Sequence, residues 1–408
     1  MTNPIFTFTS GRAWNHDLMV LLGLAAFAVH AHGARRERPH RWVFVSGVLL
    51  GLAIGTRLSF APAVVPFLIV MLLYPRVPGR HGRLALLCAF GGGVLVSLLP
   101  ALVLFALAPK QFLFDNIGYA HFNTMYRQVM GHRRAMTPLG KLLYLKEVIG
   151  EPGNLLLLLS TICCVSSLEY AKMRAAAARY SDAMFLLMLI PFLTIGTLAP
   201  TPTWYPYLYV LLPFAVLGIL HMVAAFADHE KQMKWGLRLG VPIALLSALY
   251  GLPSLGNPML LFVPGEWFPT KIHRIGVEMK AAVGEGRVLT LAPIYPLEGG
   301  MVIYEEFAAG PFVWRVAPLV PEKRRGELGV ISEPDLPDLL RRKPPRAVLI
   351  GFEGGLEGPL VSAARENGSG REVLILVEGR EVAPEWGGLP SLFEELKRRP
   401  LQTEERNP

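Results

Sequence analysis

Between Leu18 and Leu252 the chain repeats apolar runs of near-membrane length, separated by short loops that hold most of the basic residues of that stretch. In hydrocarbon a backbone must satisfy its own hydrogen bonds, so helices are the regular structure open to such runs. About eight membrane helices are expected on this pattern: Leu18–Ala31, Trp42–Thr56, Ala61–Tyr74, Leu84–Leu107, Leu155–Leu168, Ala183–Leu198, Tyr207–Phe226 and Trp235–Leu252. Several are shorter than the ~20 residues a full span prefers. The second and third also read as one broken hairpin. Only 17% of the residues are charged, and the shortfall lies before Pro264; soluble proteins carry about 25%. The expected fold is therefore a polytopic α-helical membrane bundle over residues 1–263, with an outer loop at 110–154. A C-terminal extracytoplasmic α/β domain follows over 264–408.

The net charge of +9 does not point to nucleic acid, because the cations sit in short loops between apolar runs. Arg35, Arg36, Arg38 and Arg41 form one such loop. Arg76, Arg80 and Arg83, then Lys172, Arg174 and Arg179, then Lys231 and Lys234 form the others. All fall on one side of the predicted helices, which the positive-inside rule makes cytoplasmic. Asp17, Arg57, residues 110–154, Thr201–Trp204 and the C-terminal domain then share the outer face. Against that rule, the 110–154 loop carries Lys110, Arg127, Arg133, Arg134, Lys141 and Lys146, which suggests that it serves something anionic. The cysteines, Cys88, Cys163 and Cys164, all lie in apolar runs, so the C-terminal domain has no disulfide. Met1–Ser10 lacks the basic start and apolar core of a signal peptide.

After Pro264, runs of strand character at Arg287–Ala292, Ala347–Phe352 and Val373–Val377 alternate with helical spacing at Thr270–Val283 and Leu356–Asn367. Ser332-Glu-Pro-Asp335 reads as a helix start. Alternation of this kind predicts a small, mostly parallel sheet. The segment from Leu297 to Arg315 gathers carboxylates and aromatics that read as solvated loop charge.

Polar residues gather at the ends of apolar runs. In Gly11-Arg-Ala-Trp-Asn-His-Asp17, His16 and Asp17 stand at the mouth of a helix. Asp17 suits either a catalytic or orienting carboxylate or an N-cap. Arg57 follows Gly55-Thr56 in a very short turn. It suits either snorkelling to the interface or a phosphate contact. Tyr119, His121, Asn123 and Arg127, then Arg133 and Arg134, mix residue types suited to sugar and phosphate; an amphipathic surface helix accounts for them equally. Trp204, Tyr205 and Tyr207 form either an interfacial aromatic belt or a pocket wall. His121 alone does not specify a metal. A divalent cation stays compatible with a carboxylate site, and no other cofactor is indicated. Gly351-Phe-Glu-Gly-Gly355 lacks dinucleotide-binding spacing, and G-x-x-x-x-G-K-[ST], H-E-x-x-H and G-x-S-x-G are absent. These absences argue against ATP-driven pumps, zincins and α/β-hydrolases.

Gly11–Asp17 before a helix, Gly51-Leu-Ala-Ile-Gly-Thr-Arg57 before a Pro-containing helix, and the Trp204–Pro213 aromatic turn together resemble the GT-C polytopic glycosyltransferases. The likeness is to the branch with the dolichyl-phosphate-mannose mannosyltransferases and the lipid A aminoarabinose transferases. It covers most of the membrane part through loose motifs. The resemblance implies transfer of a sugar from a polyprenyl-phosphate donor to a glycan, lipid or protein acceptor at the outer face of a bacterial plasma membrane. It also implies a main catalytic carboxylate in a first outer loop with no counterpart here, so that Asp17 matches the family's second acidic residue and the chain reads as N-terminally short. The alternative is a non-catalytic membrane protein, a transporter or assembly subunit, with an extracytoplasmic binding domain. A transporter should carry polar residues along its helix middles, whereas here they gather at one face. The expected partners include membrane lipid and exclude nucleic acid.

Overall fold

The computed structural model describes residues 3–9, 15–33, 36–73, 80–160, 182–226, 262–351, 356–366 and 374–376, with isolated positions between 238 and 252. Helices make up most of it, and a small parallel sheet completes it. The chain divides into two compact units. One comprises Met1–Pro109 with Gly131–Gly256, the other Lys110–Met130 with Asn257–Pro408.

In the first unit, α1 spans Pro4–Thr9, α2 His16–Gly33, α3 Pro39–Thr56, α4 Val64–Leu73 and α5 Arg80–Leu107. Pro39 opens α3, where its missing N–H would have had no partner anyway. Arg57 ends the helix in an extended conformation, its N–H bonded to the Ala53 carbonyl. A 3₁₀ turn, Leu58–Ala63, then leads into α4, so the predicted Ala61–Tyr74 helix begins later than expected. Arg80 and Arg83 lie inside α5 rather than in a loop.

Among the described residues two helical segments are long and apolar enough to cross a membrane, His16–Gly33 and Gly82–Leu107. Leu58–Leu72, Phe185–Leu198 and Tyr205–Leu220 are apolar but shorter. The predicted Trp235–Leu252 helix, the second half of Leu155–Leu168, and the loop cations Arg35, Arg76, Lys172, Arg174, Arg179, Lys231 and Lys234 lie outside the described residues or among their isolated positions.

Helices α3 and α5 meet through glycine. A Cβ added at Gly47 would strike the Phe90 carbonyl oxygen, and one at Gly93 would strike that of Phe44. At Gly51 it would sit 2.9 Å from the Val94 carbonyl oxygen. Gly47 and Gly51 are four apart on one face, the small-residue spacing that lets apolar helices approach closely where lipid removes the hydrophobic drive to associate. The core beside them is aromatic and aliphatic: Leu50, Phe60, Phe67, Phe90, Phe185, Leu189 and Phe214 are all buried. The far half of α5 leaves Leu95, Leu99, Val103 and Leu107 exposed.

The unit continues with α8 (Pro138–Gly150), α9 (152–160), α10 (Asp182–Leu198) and α11 (Leu211–Phe226). A 3₁₀ helix, Tyr205–Val210, precedes α11, where the sequence had suggested a single helix from Tyr207.

Among the described residues the second unit holds four parallel strands in the order β2-β1-β3-β4: β1 Arg287–Thr290, β2 Val302–Ile303, β3 Ala347–Leu349 and β4 Leu374–Leu376. Val288 pairs with Ala347, and Ala347 with Leu374. The three strands read from the sequence are present, and β1 and β3 end earlier than expected; β2, of two residues, carries too little pattern to be read. Around the sheet lie α12 (Phe268–Val283), α13 (Ile294–Glu298), α14 (Pro311–Val316), α15 (Glu322–Leu328), α16 (Leu336–Arg342) and α17 (Gly358–Glu366). Ser332 and Asp335 form a reciprocal capping box ahead of α16. Arg325 ties it down by donating to the Asp335 carboxylate at 2.8 Å.

The remaining helices, α6 (Pro109–Leu113) and α7 (Tyr119–Val129), flank a π-helical turn at Phe114–Gly118. From Lys110 to Met130 this stretch belongs to the second unit. Phe114 is buried with Ala317, Val320, Leu328 and Val330, and Phe122 and Val313 pack against them. Lys110 pairs with Glu327 at 2.9 Å. The 110–154 stretch, expected to act as one outer loop, is thus divided between the units.

Candidate functional site

The polar cluster of the first unit forms where α2 begins, α3 ends and the Tyr205–Val210 turn passes. The Asn15 carbonyl accepts the first α2 hydrogen bond, from Met19 N–H, which makes Asn15 the N-cap. Asp17 therefore lies inside the first turn and is not the cap. Its carboxylate accepts a 2.6 Å hydrogen bond from the Tyr209 hydroxyl. The Asn15 amide donates to the Thr56 carbonyl at 2.9 Å, pinning the start of α2 to the end of α3.

Arg57 closes the cluster. Its Nη1 donates to the His16 ring and lies 3.4 Å from Asn15 Oδ1. Its guanidinium stands over the Tyr207 ring, 4.8 Å from the centroid. A guanidinium can only donate, so the imidazole accepts from it and is neutral in this arrangement. His16 also stacks on Tyr207, with ring centroids 6.1 Å apart. Burial pulls the Arg57 pKa below its usual value, and Tyr207 opposes the shift. Among the described residues no carboxylate forms an ion pair with Arg57; the partners are an amide, an imidazole and a phenol.

Tyr205, one turn before Tyr209, donates to a second carboxylate, Glu151, at 2.6 Å. Asn154 donates to the same Glu151 oxygen at 3.0 Å and to the Val148 carbonyl at 2.8 Å. Asn3 donates to Asn154 at 2.7 Å. Phe6 and Phe8 of α1 pack on Tyr209 and Tyr205, with ring centroids 5.9 Å and 5.5 Å apart. Two tyrosines of one short helix thus each hold a carboxylate from another element, and the tyrosine between them faces the arginine. Glu151 was not read as a site residue. The available signal was Glu151-Pro152 at a helix start, opposite a Tyr-Pro-Tyr-Leu-Tyr run whose alternate tyrosines cannot all face lipid. Replacing Tyr205 with Phe should lower stability by about 2 kcal/mol, the usual worth of a hydrogen bond to a charged group. Unfolding in bicelles would show it.

The other predicted residues disperse. Trp204 lies against His132, ring centroids 5.5 Å apart. Arg134 pairs with Glu147 at 2.6 Å and stands over Tyr144. Arg133 is exposed. Lys141 donates to the carbonyls of Leu198 and Ala199 and to Thr201, at 2.7, 3.1 and 2.8 Å, and burial lowers its pKa. Lys110, Arg134 and Lys141 thus have partners within the protein, which removes much of the reason to expect an anion over this whole stretch. Tyr119, His121, Asn123 and Arg127 lie on α7 in the second unit. His121 is exposed, and Asn123 Oδ1 is buried without a hydrogen bond.

Among the described residues no group of three His, Cys, Asp or Glu side chains is arranged to hold a metal ion. Comparison with family models, with curated proteins and with solved structures returned no match.

Proposed function

We propose that the chain is an integral membrane glycosyltransferase that takes its sugar from a polyprenyl-phosphate donor. The observation that carries the reading is Arg57, a half-buried cation at a helix end whose described partners include no carboxylate. A desolvated guanidinium of this kind favours an anion, and it matches phosphate geometry bidentately. Asp17 and Glu151, each held by a tyrosine, supply acceptors for a proton. In the reaction the bond between the sugar C1 and the phosphate oxygen breaks as the acceptor hydroxyl oxygen attacks C1. The hydroxyl proton passes to Asp17, and polyprenyl phosphate leaves with its charge against Arg57. Direct displacement inverts the anomeric centre. Tyr205 and Tyr207 line the sugar or lipid slot.

The reading carries with it a polytopic bundle of about eight helices, as the apolar runs suggest, in a bacterial plasma membrane, with the residues after Pro264 outside. Two experiments test it. Reporter fusions at Glu37 and Gly368 should report opposite compartments; a shared compartment would sink the arrangement. The purified chain in nanodiscs, given polyprenyl-phosphate hexoses and pentoses with a lipid or glycan acceptor, should release polyprenyl phosphate. In sealed liposomes, passage of solute without donor cleavage would favour the transporter reading instead.

A further inference from the structure

We infer that α8 lies in the membrane surface, its leucine face in the acyl boundary and its cations among anionic headgroups. The helix has two apolar faces, and among the described residues only one has a partner. Tyr144 and Val148 are buried in the core of the first unit. Leu139, Leu142 and Leu143 point away from it, 67%, 56% and 57% exposed. Their spacing of three and four residues puts them on one stripe, and Lys146 falls on the same stripe. Thr137 caps the helix by accepting from Gly140 N–H at 3.0 Å, and Pro138 occupies its first turn, so the stripe is held on a defined helix.

The occupant follows from where α8 is tied. Lys141 bonds the last carbonyls of α10, an apolar helix whose own Ile195 is 60% exposed. If α10 crosses the bilayer, its end marks the headgroup level, and α8 is fixed at that level. The next helix, α9, continues the apolar exposure with Leu155, Leu158 and Leu159. A second protein chain fits this stripe less well than lipid does. Lysine is depleted in the cores of protein interfaces, whereas at a membrane surface Lys146 extends to the phosphates while its stem stays apolar. Arg133, exposed just ahead of the helix, adds a second cation for the same layer.

The inference rests on α10 crossing the bilayer, so the test reads both. In a background with Cys88, Cys163 and Cys164 changed to serine, Leu142→Cys, Leu143→Cys and Ile195→Cys are each labelled with an environment-sensitive fluorophore. The full chain is placed in nanodiscs of phosphatidylcholine and phosphatidylglycerol. The Leu142 and Leu143 probes should be quenched by a nitroxide carried at the top of the acyl chain and spared by aqueous iodide. Charge reversal at Arg133 and Lys146 should reduce that quenching in the anionic discs and leave it unchanged in pure phosphatidylcholine. An Ile195 probe in lipid with a Leu142 probe open to iodide would overturn the inference alone. A Leu142 probe reached by neither quencher would also overturn it, by showing a protein cover. Iodide access at Ile195 would overturn it together with the membrane placement of α10.

Discussion

Replacing Arg57 with alanine is expected to slow the release of polyprenyl phosphate about a hundredfold, the usual effect of removing one preorganised donor to developing charge. That figure corresponds to roughly 2.7 kcal/mol of transition-state stabilisation. The expectation follows from the partners of the side chain. Asn15, His16 and Tyr207 orient the guanidinium, and none neutralises it. Arg57→Lys should recover only part of the rate, because an ammonium keeps the charge and loses the planar fork. Asp17→Asn provides the second arm. The amide oxygen still accepts from Tyr209, so the cluster keeps its shape while the proton acceptor is lost. Transfer at the unmodified rate in both Arg57→Ala and Asp17→Asn would end the proposal. A silent Asp17→Asn alone would leave the phosphate contact standing and shift proton transfer to another group, with Glu151→Gln as the next variant to assay.

Gly51→Leu is expected to destabilise the first unit by about 3 kcal/mol, at the upper end of overpacking penalties. Any side chain at this position meets the Val94 backbone, 2.9 Å from its carbonyl oxygen and 3.0 Å from its Cα. Backbone cannot move aside as a flexible side chain would, so α3 and α5 must separate. Gly91→Ala is the control, because a Cβ there meets nothing within 4 Å and alanine favours a helix by about 1 kcal/mol. Denaturant titration in bicelles should lower the midpoint for Gly51→Leu and raise it or leave it unchanged for Gly91→Ala. Arg57 sits at the end of α3, so Gly51→Leu should also lose transfer activity.

How far the sequence carried the architecture depended on the kind of pattern each part needs. Long-period features were legible: apolar runs before Pro264, the alternation of strand and helix after it, and the Ser332 capping box, which needs only four residues to declare itself. Gly47 and Gly51 were also open to reading, since their spacing of four carries a packing mechanism. Residues 110–130 were not legible as part of the second unit. Phe114 and Phe122 show only that something must cover them, and nothing local says that Val320 and Val330 do so. In the polar cluster, Asp17, Arg57 and the tyrosine run each signalled from their own helix ends. Glu151 did not, because a carboxylate before proline looks like any cap until Tyr205 is placed beside it. The cationic residues misled for a related reason. Lys141 reads as a free charge in the sequence, and only the position of α10 shows that it closes a helix end.

The split origin of the second unit bears on the order in which the protein can fold. Phe114 and Phe122 leave the ribosome before residues 131–256, while the surface they cover, from Val313 to Val330, is made after them. Joining the two means closing a loop of roughly two hundred residues, and contacts between distant parts of a chain form slowly because their closure entropy comes first. During synthesis the 110–130 stretch must therefore wait with its aromatic side uncovered until Val313–Val330 have been made. A chain that stops before Val313 therefore leaves Phe114 without the side chains that bury it.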